Sequence, residues 1–152
     1  MTETPSFSTY AADIEGWRAG LVQQYRQVLQ KSMFTNRKEM RPAQLGTIAE
    51  AEVEALLDYL KQVTPSGEAR GAQLCEAGLS EISVLRLGQA TRQFFIASLQ
   101  DGRLSGLVHA YDEYHNGVVQ GYMHKGEQIV LSEQERSRYA HERVLARDGK
   151  AS

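Results

Sequence analysis

The side chains with the most versatile chemistry in this sequence are four histidines in the last third of the chain, namely His109, His115, His124 and His141. His109 and Glu113 are four residues apart, so on a helix they share a face and are compatible with a metal pair. A zinc site of this type also needs a second histidine at that spacing and a third ligand, which the pattern does not supply. We therefore predict no metal site and interpret the histidines as structural or surface residues.

Haem ligation is a second chemistry that these histidines could support. A globin-type haem needs an axial histidine beside a helical core, and His109 or His115 could provide it. Any helical protein with several histidines places one of them near its core, so this position does not by itself establish a haem. We expect no cofactor. A globin-like sensor that binds haem or a small ligand stays open as an alternative.

Other reactive groups form no catalytic pattern. The flanks of Cys75 are typical of a small buried side chain on a helix. The basic residues Arg37, Lys38 and Arg41 are interrupted by Glu39, which is typical of a solvated loop. The sequence contains no glycine-rich phosphate loop, recognisable carboxylate pair or nucleophile elbow. We predict that the protein is not an enzyme.

Length and composition exclude several classes of function. A chain of 152 residues that is 41% hydrophobic fits one domain with an appendage. The net charge of −2 gives no basic field for nucleic acid or for an anionic membrane surface. The single cysteine cannot form an internal disulfide, residues 1–6 do not resemble a signal peptide, and no apolar run approaches the length of a membrane span. These features predict a cytoplasmic protein without nucleic-acid or membrane partners.

Helical periodicity positions these side chains. Apolar residues recur at helical steps over residues 7–29 and 43–62, which predicts the first two helices. In the second helix, Glu52 is one of the carboxylates assigned to the outward face. Residues 81–100 are apolar on several faces, which is typical of a central helix.

Caps and breaks separate the predicted helices. The irregular segment 33–41 ends at Pro42, which suits the first turn of a helix. Gly78 is expected to end a short third helix, and Ser80 is expected to cap the fourth. No stretch shows the alternation of a strand, so the sequence predicts an all-α domain of five helices, either globin-like or bundle-like.

The fifth helix, residues 103–147, is the longest predicted element. It lacks proline, and at about 1.5 Å per residue it would measure about 65 Å, twice the diameter of a compact domain of this size. Apolar residues are frequent up to Leu131, and charged residues dominate from Ser132 onward. We predict a helical sensory domain in residues 1–131 and a protruding linker (signalling) helix with a tail in residues 132–152. This organisation indicates transmission rather than chemistry.

Aromatic residues on three of the helices could line a ligand pocket. The candidates are Trp17, Tyr25, Phe94, Phe95 and Tyr111. Ordinary core packing would use the same residues, so the two interpretations stay open.

Several short motifs resemble one group of bacterial sensory regions. They are Phe34-Thr35-Asn36-Arg37, Arg41-Pro42, the segment from Gly78-Leu79-Ser80 to Phe94-Phe95, Glu127-Gln128-Ile129, and Ser132-Glu133-Gln134-Glu135-Arg136. The chain resembles, over most of residues 8–147, the N-terminal helical domains that precede STAS, PAS or kinase modules. The RsbR-type co-antagonists of the stressosome typify this group.

The resemblance implies a globin-like domain without haem that dimerises and passes a signal through its C-terminal helix to an output module. The sequence departs from that pattern because no output module follows before Ser152. It is either an excised sensory domain or a free-standing protein that acts on a partner. A protein-binding scaffold or anti-regulator is a further alternative.

A heptad along the fifth helix predicts where the homodimer forms. Its members are Tyr111, Val118, Lys125, Ser132, Tyr139 and Ala146, together with His115, Tyr122, Ile129, Arg136 and Arg143. This seam is apolar at first and polar later. We therefore expect contacts near residues 111–129 and along the first helix, a weakly held tail, and Tyr122, Ile129 and Tyr139 as dimer or linker residues.

Overall fold

The computed structural model describes residues 7–150, and all regular elements within this range are helical. They are α1 (Phe7–Lys31), a 3₁₀ turn (Met33–Thr35), α2 (Pro42–Leu60), α3 (Glu68–Ala77), α4 (Glu81–Ser98) and α5 (Leu104–Lys150). The predicted all-α architecture of five α-helices with a long C-terminal helix is confirmed. The expectations for residues 1–6 and 151–152 lie outside the described residues.

Local chemistry sets the helix boundaries. Pro42 occupies the start of α2, where its missing N–H removes no helical hydrogen bond. Gly78 ends α3 in the left-handed region, with φ 92° and ψ 15°. The N–H of Leu79 then donates to the Leu74 carbonyl at 3.2 Å, which closes a Schellman motif. Ser80 caps α4 with its hydroxyl oxygen, as predicted.

α1 packs against α2 and α4, and its beginning contacts the start of α5. At one end of α1, Arg103 donates to Asp13 at 3.0 Å, and at the other end the hydroxyls of Ser32 and Ser83 are 2.8 Å apart. α1 is therefore antiparallel to α4 and parallel to α5, and the core lies between these helices and α2. It includes Tyr10, Ile14, Leu21, Tyr25, Val53, Leu56, Leu57, Phe95, Tyr111 and Tyr114.

α3 lies against α5 at backbone contact. Two glycine pairs, each spaced by four residues, face each other there: Gly67 with Gly71, and Gly117 with Gly121. A Cβ atom on Gly71 would overlap the carbonyl oxygen of Val118, and one on Gly121 would overlap the carbonyl oxygen of Glu68. No side chain fits at these positions, so the glycines determine how closely the two helices approach.

α4 leaves one apolar face uncovered. Leu87 and Phe95 are buried, whereas Ile82, Leu85 and Ile96 are 45–57% exposed. The prediction of a central α4 is wrong because, within residues 7–150, the neighbouring helices cover only part of its circumference. The exposed residues form a stripe along α4.

α5 changes its surroundings along its length. Its buried stripe includes Leu107, Ala110, Tyr111, Tyr114, Val118 and Tyr122, and Ile129 is still half-buried against the core. Every residue from 130 to 149 is exposed. About 30 Å of helix, at 1.5 Å per residue, therefore extends beyond the packed part of the molecule.

Candidate functional site

The two histidines considered as haem ligands face different surroundings. His109 is mostly exposed, and its Nε2 lies 3.3 Å from Glu113 Oε1 in the predicted pairing. His115 stacks on Tyr111 with ring centroids 5.7 Å apart and directs its Nε2 toward Gly88 of α4. Burial lowers the pKa of His115 because the charged imidazolium would lose hydration. One histidine thus faces solvent, and the other faces a helix backbone.

The aromatic candidates for a ligand pocket lie together as a packed cluster. The ring of Trp17 is 6.1 Å from that of Phe94 and 6.1 Å from that of Phe95. Phe95 packs edge to face on Tyr111 at 5.6 Å. These rings bring α1, α4 and α5 together and occupy the space between them.

Tyr25, the fifth candidate, belongs to a polar part of the core. The hydroxyl of Thr91 donates to the Leu87 carbonyl at 2.7 Å, so the Tyr25 hydroxyl is the donor in its own 2.7 Å bond to Thr91. Burial raises the pKa of Tyr25, and it also raises the pKa values of Tyr111 and Tyr114. All three phenols are therefore neutral at physiological pH.

A buried ion pair connects α2, α3 and α5. Glu52 is 2% exposed and accepts from Arg70 Nε at 2.8 Å and from the Tyr114 hydroxyl at 3.2 Å. Arg70 also donates to the carbonyl of Ile48 at 3.1 Å. Both carboxylate oxygens are thus satisfied, as a buried charge requires.

The outward position predicted for Glu52 is wrong. Glu52 follows Ala49 by three residues and precedes Leu56 by four, which is the spacing of the buried stripe of α2. Its charge suggested solvent exposure, but Arg70 from another helix compensates that charge. The spacing was the correct signal, whereas the residue type was misleading.

Two of the motifs that carry the resemblance meet in space. Asn36 Oδ1 accepts from the backbone N–H of Ser80 at 2.9 Å, and the hydroxyls of Thr35 and Ser80 are 2.6 Å apart. The N–H of Arg37 donates to the Gly78 carbonyl at 2.8 Å. The segment after α1 is therefore fixed to the turn between α3 and α4.

This fixed segment presents Phe34 to solvent. The Phe34 side chain is 93% exposed although its neighbours are hydrogen-bonded. The Arg37 guanidinium donates to the Cys75 carbonyl, and Lys38 Nζ donates to the Glu76 carbonyl at 2.8 Å. These bonds fix the backbone around Phe34, so its exposure does not come from a loosely held loop.

The exposed stripe of α4 adjoins α5. Arg92 lies 3.4 Å from Asp112, and Glu81, near the other end of α4, borders the same groove as Met123. The two helices are therefore antiparallel, and Ile82 lies at the level of Met123. We use the name α4–α5 face for the exposed apolar residues of these two helices, namely Ile82, Leu85 and Ile96 on α4 and Met123 and Val130 on α5.

The α4–α5 face continues along α5 as a seam with heptad spacing. The spacing begins at Val119, which is half-buried against the core, and the free seam consists of Met123, Gly126, Val130, Glu133, Ser137, Ala140 and Val144. Met123 and Val130 are 55% and 51% exposed. The seam carries no charge before Glu133, and it lies one residue C-terminal to the heptad predicted from the sequence.

The residues predicted for the dimer or linker have different environments. Tyr122 is buried, and its hydroxyl donates to the Leu79 carbonyl at 2.6 Å. Tyr139 is exposed, with the Arg143 guanidinium 5.8 Å from its ring centroid. With Ile129 half-buried, these three side chains do not form one surface. The free seam was missed because core packing and dimer packing both use helical spacing.

Comparisons with known proteins give no relative on which to base a function. The sequence matches no protein-family model, and no match is found among curated proteins or solved structures. In the part of the chain from residue 7 to 150, no three His, Cys, Asp or Glu side chains are grouped as metal ligands. None of the helices described combines the length and hydrophobicity of a membrane span. The features of this chain that bear on its function are therefore α5 and the α4–α5 face.

Proposed function

We propose that this chain is a non-catalytic sensory or regulatory domain of bacterial cytoplasmic signal transduction, similar to the N-terminal domains of RsbR-type co-antagonists. It forms a homodimer and passes a signal along α5 to an output module or partner protein. The observation that carries this proposal is the change along α5, which packs in the core up to Ile129 and is exposed on all sides from Val130.

A helix that is exposed on all sides has little intrinsic stability in water. Most helical stability in proteins comes from packing of an apolar face, and short isolated helices are marginal. The exposed part of α5 continues directly from the buried part, so its position is set by the domain. Contacts with another molecule would stabilise it.

The α4–α5 face is the surface that we assign to the second copy. Ile82, Leu85, Met123 and Val130 are exposed on it, and a two-fold arrangement with parallel α5 helices would cover them. The outer face of α1 is less suitable because none of the large apolar side chains of α1 is exposed. Its exposed positions include Ala12, Gly16, Ala19 and Gln23.

Crosslinking tests this arrangement directly. In a Cys75→Ser background, Val130→Cys and Ser137→Cys lie on the free seam, whereas Gln128→Cys and Tyr139→Cys lie on other faces of α5. We expect a dimer by light scattering, rapid disulfide formation at position 130, slower formation at 137 and little at 128 or 139. A monomer at tens of micromolar, or equal crosslinking at 128 and 130, would contradict the proposal.

The haem alternative has no observation in its favour, because His109 faces solvent and His115 faces Gly88. We expect protein purified from iron-supplied cells to be colourless in the visible range. A Soret band that disappears in His115→Ala would replace the proposed function with ligand binding.

A further inference from the structure

The glycines of α5 divide into two groups according to what surrounds them. A Cβ on Gly106 or Gly121 would overlap atoms of the same chain, and one on Gly117 would lie 2.9 Å from the Gly67 nitrogen. A Cβ on Gly126 would meet only Cys75 Sγ, at an ordinary contact distance of 3.8 Å. The packing of the chain itself therefore does not require glycine at position 126.

Glycine at this position is also unfavourable for the helix. Within a helix it destabilises by about 1 kcal/mol relative to alanine. Gly126 lies well inside α5, far from either end. What glycine offers here is a surface without a side chain, which permits another backbone to approach closely.

Gly126 lies in an open groove of about 690 Å³ beside the free seam. Met123, Glu127 and Val130 line the groove from the same helix, and Arg37, Cys75 and Glu81 line it from other segments. Met123, Gly126 and Val130 are three successive positions of the seam, large, small and large. A helix lying along the seam would fill this groove.

We infer that the groove at Gly126 receives α5 of a second copy and that the two helices approach most closely at this glycine. The inference rests on the proposed homodimer. In a parallel two-fold pair, equivalent seam positions face each other, so Gly126 meets Gly126 of the second copy with no side chain between the backbones. The seam is uncharged here, and the groove beside it carries both signs, with Arg37, Glu81 and Glu127, so it favours a second copy of the same surface over a partner of one charge sign.

The seam beyond this contact separates the helices again. Glu133 occupies a seam position and would face the same carboxylate of the second copy. Like charges that face each other are unfavourable. Gly126 is therefore the pivot between a closely packed part of the dimer and a tail that is held apart.

Two glycine-to-alanine variants test the pivot. Gly16 in α1 has no atom within 4 Å of an added Cβ, so Gly16→Ala reports the gain in helix propensity alone. Gly126→Ala should show a similar gain within the subunit, and its Cβ should force the two α5 helices apart. Sedimentation equilibrium should then show a dimer dissociation constant about tenfold higher for Gly126→Ala, whereas Gly16→Ala should dimerise like the wild type.

The possible outcomes distinguish the close approach at Gly126 from dimer formation itself. A Gly126→Ala dimer as tight as the wild-type dimer would overturn the close approach and leave the proposed homodimer intact. A wild-type protein that is monomeric would overturn the proposed dimer and this inference together.

Discussion

The two faces of α5 contain the same residue type in opposite situations. Toward α3, Gly121 lies against the backbone of Glu68, and the contact is complete within one chain. On the free seam, an added Cβ at Gly126 would meet only Cys75 Sγ, at 3.8 Å. The role of a helical glycine therefore depends on what faces it. The first face is packed within the chain, and the second is the one that we assign to a second copy.

The largest effect is expected from adding a side chain at the glycine contact between α3 and α5. Gly71→Ala would place a Cβ on the Val118 carbonyl oxygen, so α3 would have to move away from α5. We expect a loss of at least about 3 kcal/mol in the free energy of unfolding, or no folded protein. Urea unfolding followed by circular dichroism measures it. Gly16→Ala is the matched control, and equal midpoints for the two variants would disprove the backbone contact.

The second-largest effect is expected from breaking the buried ion pair between Glu52 of α2 and Arg70 of α3, which Tyr114 links to α5. Glu52→Ala leaves the buried Arg70 guanidinium without its carboxylate and the Tyr114 hydroxyl without its acceptor. We expect a destabilisation of about 3 kcal/mol in urea unfolding. Glu50→Ala, an exposed residue on the same helix, should change stability by less than about 0.5 kcal/mol. Similar values for both variants would mean that the pair contributes nothing.

We expect alkaline pH to destabilise the core around Tyr25, Tyr111 and Tyr114 gradually. Burial raises the pKa values of Tyr25, Tyr111 and Tyr114, so above about pH 10 the unfolded chain releases protons that the folded chain retains. Stability is thus fully present below pH 10 and falls as pH rises, by about 1.4 kcal/mol per pH unit for each phenol. Urea titrations between pH 8 and 11 measure this slope.

Tyr25→Phe provides the control for the alkaline effect. Thr91 retains its own bond to the Leu87 carbonyl in this variant. Above pH 10, the loss of unfolding free energy per pH unit should be smaller by the contribution of one phenol, about 1.4 kcal/mol. An unchanged slope would assign the alkaline loss of stability to other groups.

The smallest effect is expected on the free seam, where association should change and folding should not. Glu133→Leu removes the facing carboxylates and should tighten the dimer by about 1 kcal/mol, or roughly fivefold. Glu135→Leu, on the opposite face of α5, adds the same side chain away from the seam. Sedimentation equilibrium distinguishes the two variants. Equal tightening by both would reflect general hydrophobicity and would disprove the seam.

Local signals were sufficient to predict the fold. Periodicity identified the helices, and the left-handed Gly78 and the cap at Ser80 follow from backbone and hydrogen-bond preferences of single residues. The burial of Glu52 could not be predicted, because its partner Arg70 comes from another helix.

The sequence also could not predict which helical positions of α5 form the candidate interface. A stripe that packs on the chain's own core and a stripe that packs on a second copy have the same helical spacing. Only the packed helices show that Tyr122 belongs to the first, whereas Met123 is exposed on the surface that we assign to a second copy. The same limit applies to the glycines, since Gly121 and Gly126 differ only in what lies opposite them.

The length of α5 has a mechanical consequence. About 36 Å of helix lies beyond Gly126 at 1.5 Å per residue, so a tilt of about 5° at this glycine would displace the far end by about 3 Å. A displacement of that size is comparable to a hydrogen-bond length. In the proposed function, the exposed helix would act as a lever arm, and its length would set how far its tip moves for a given angular change in the domain.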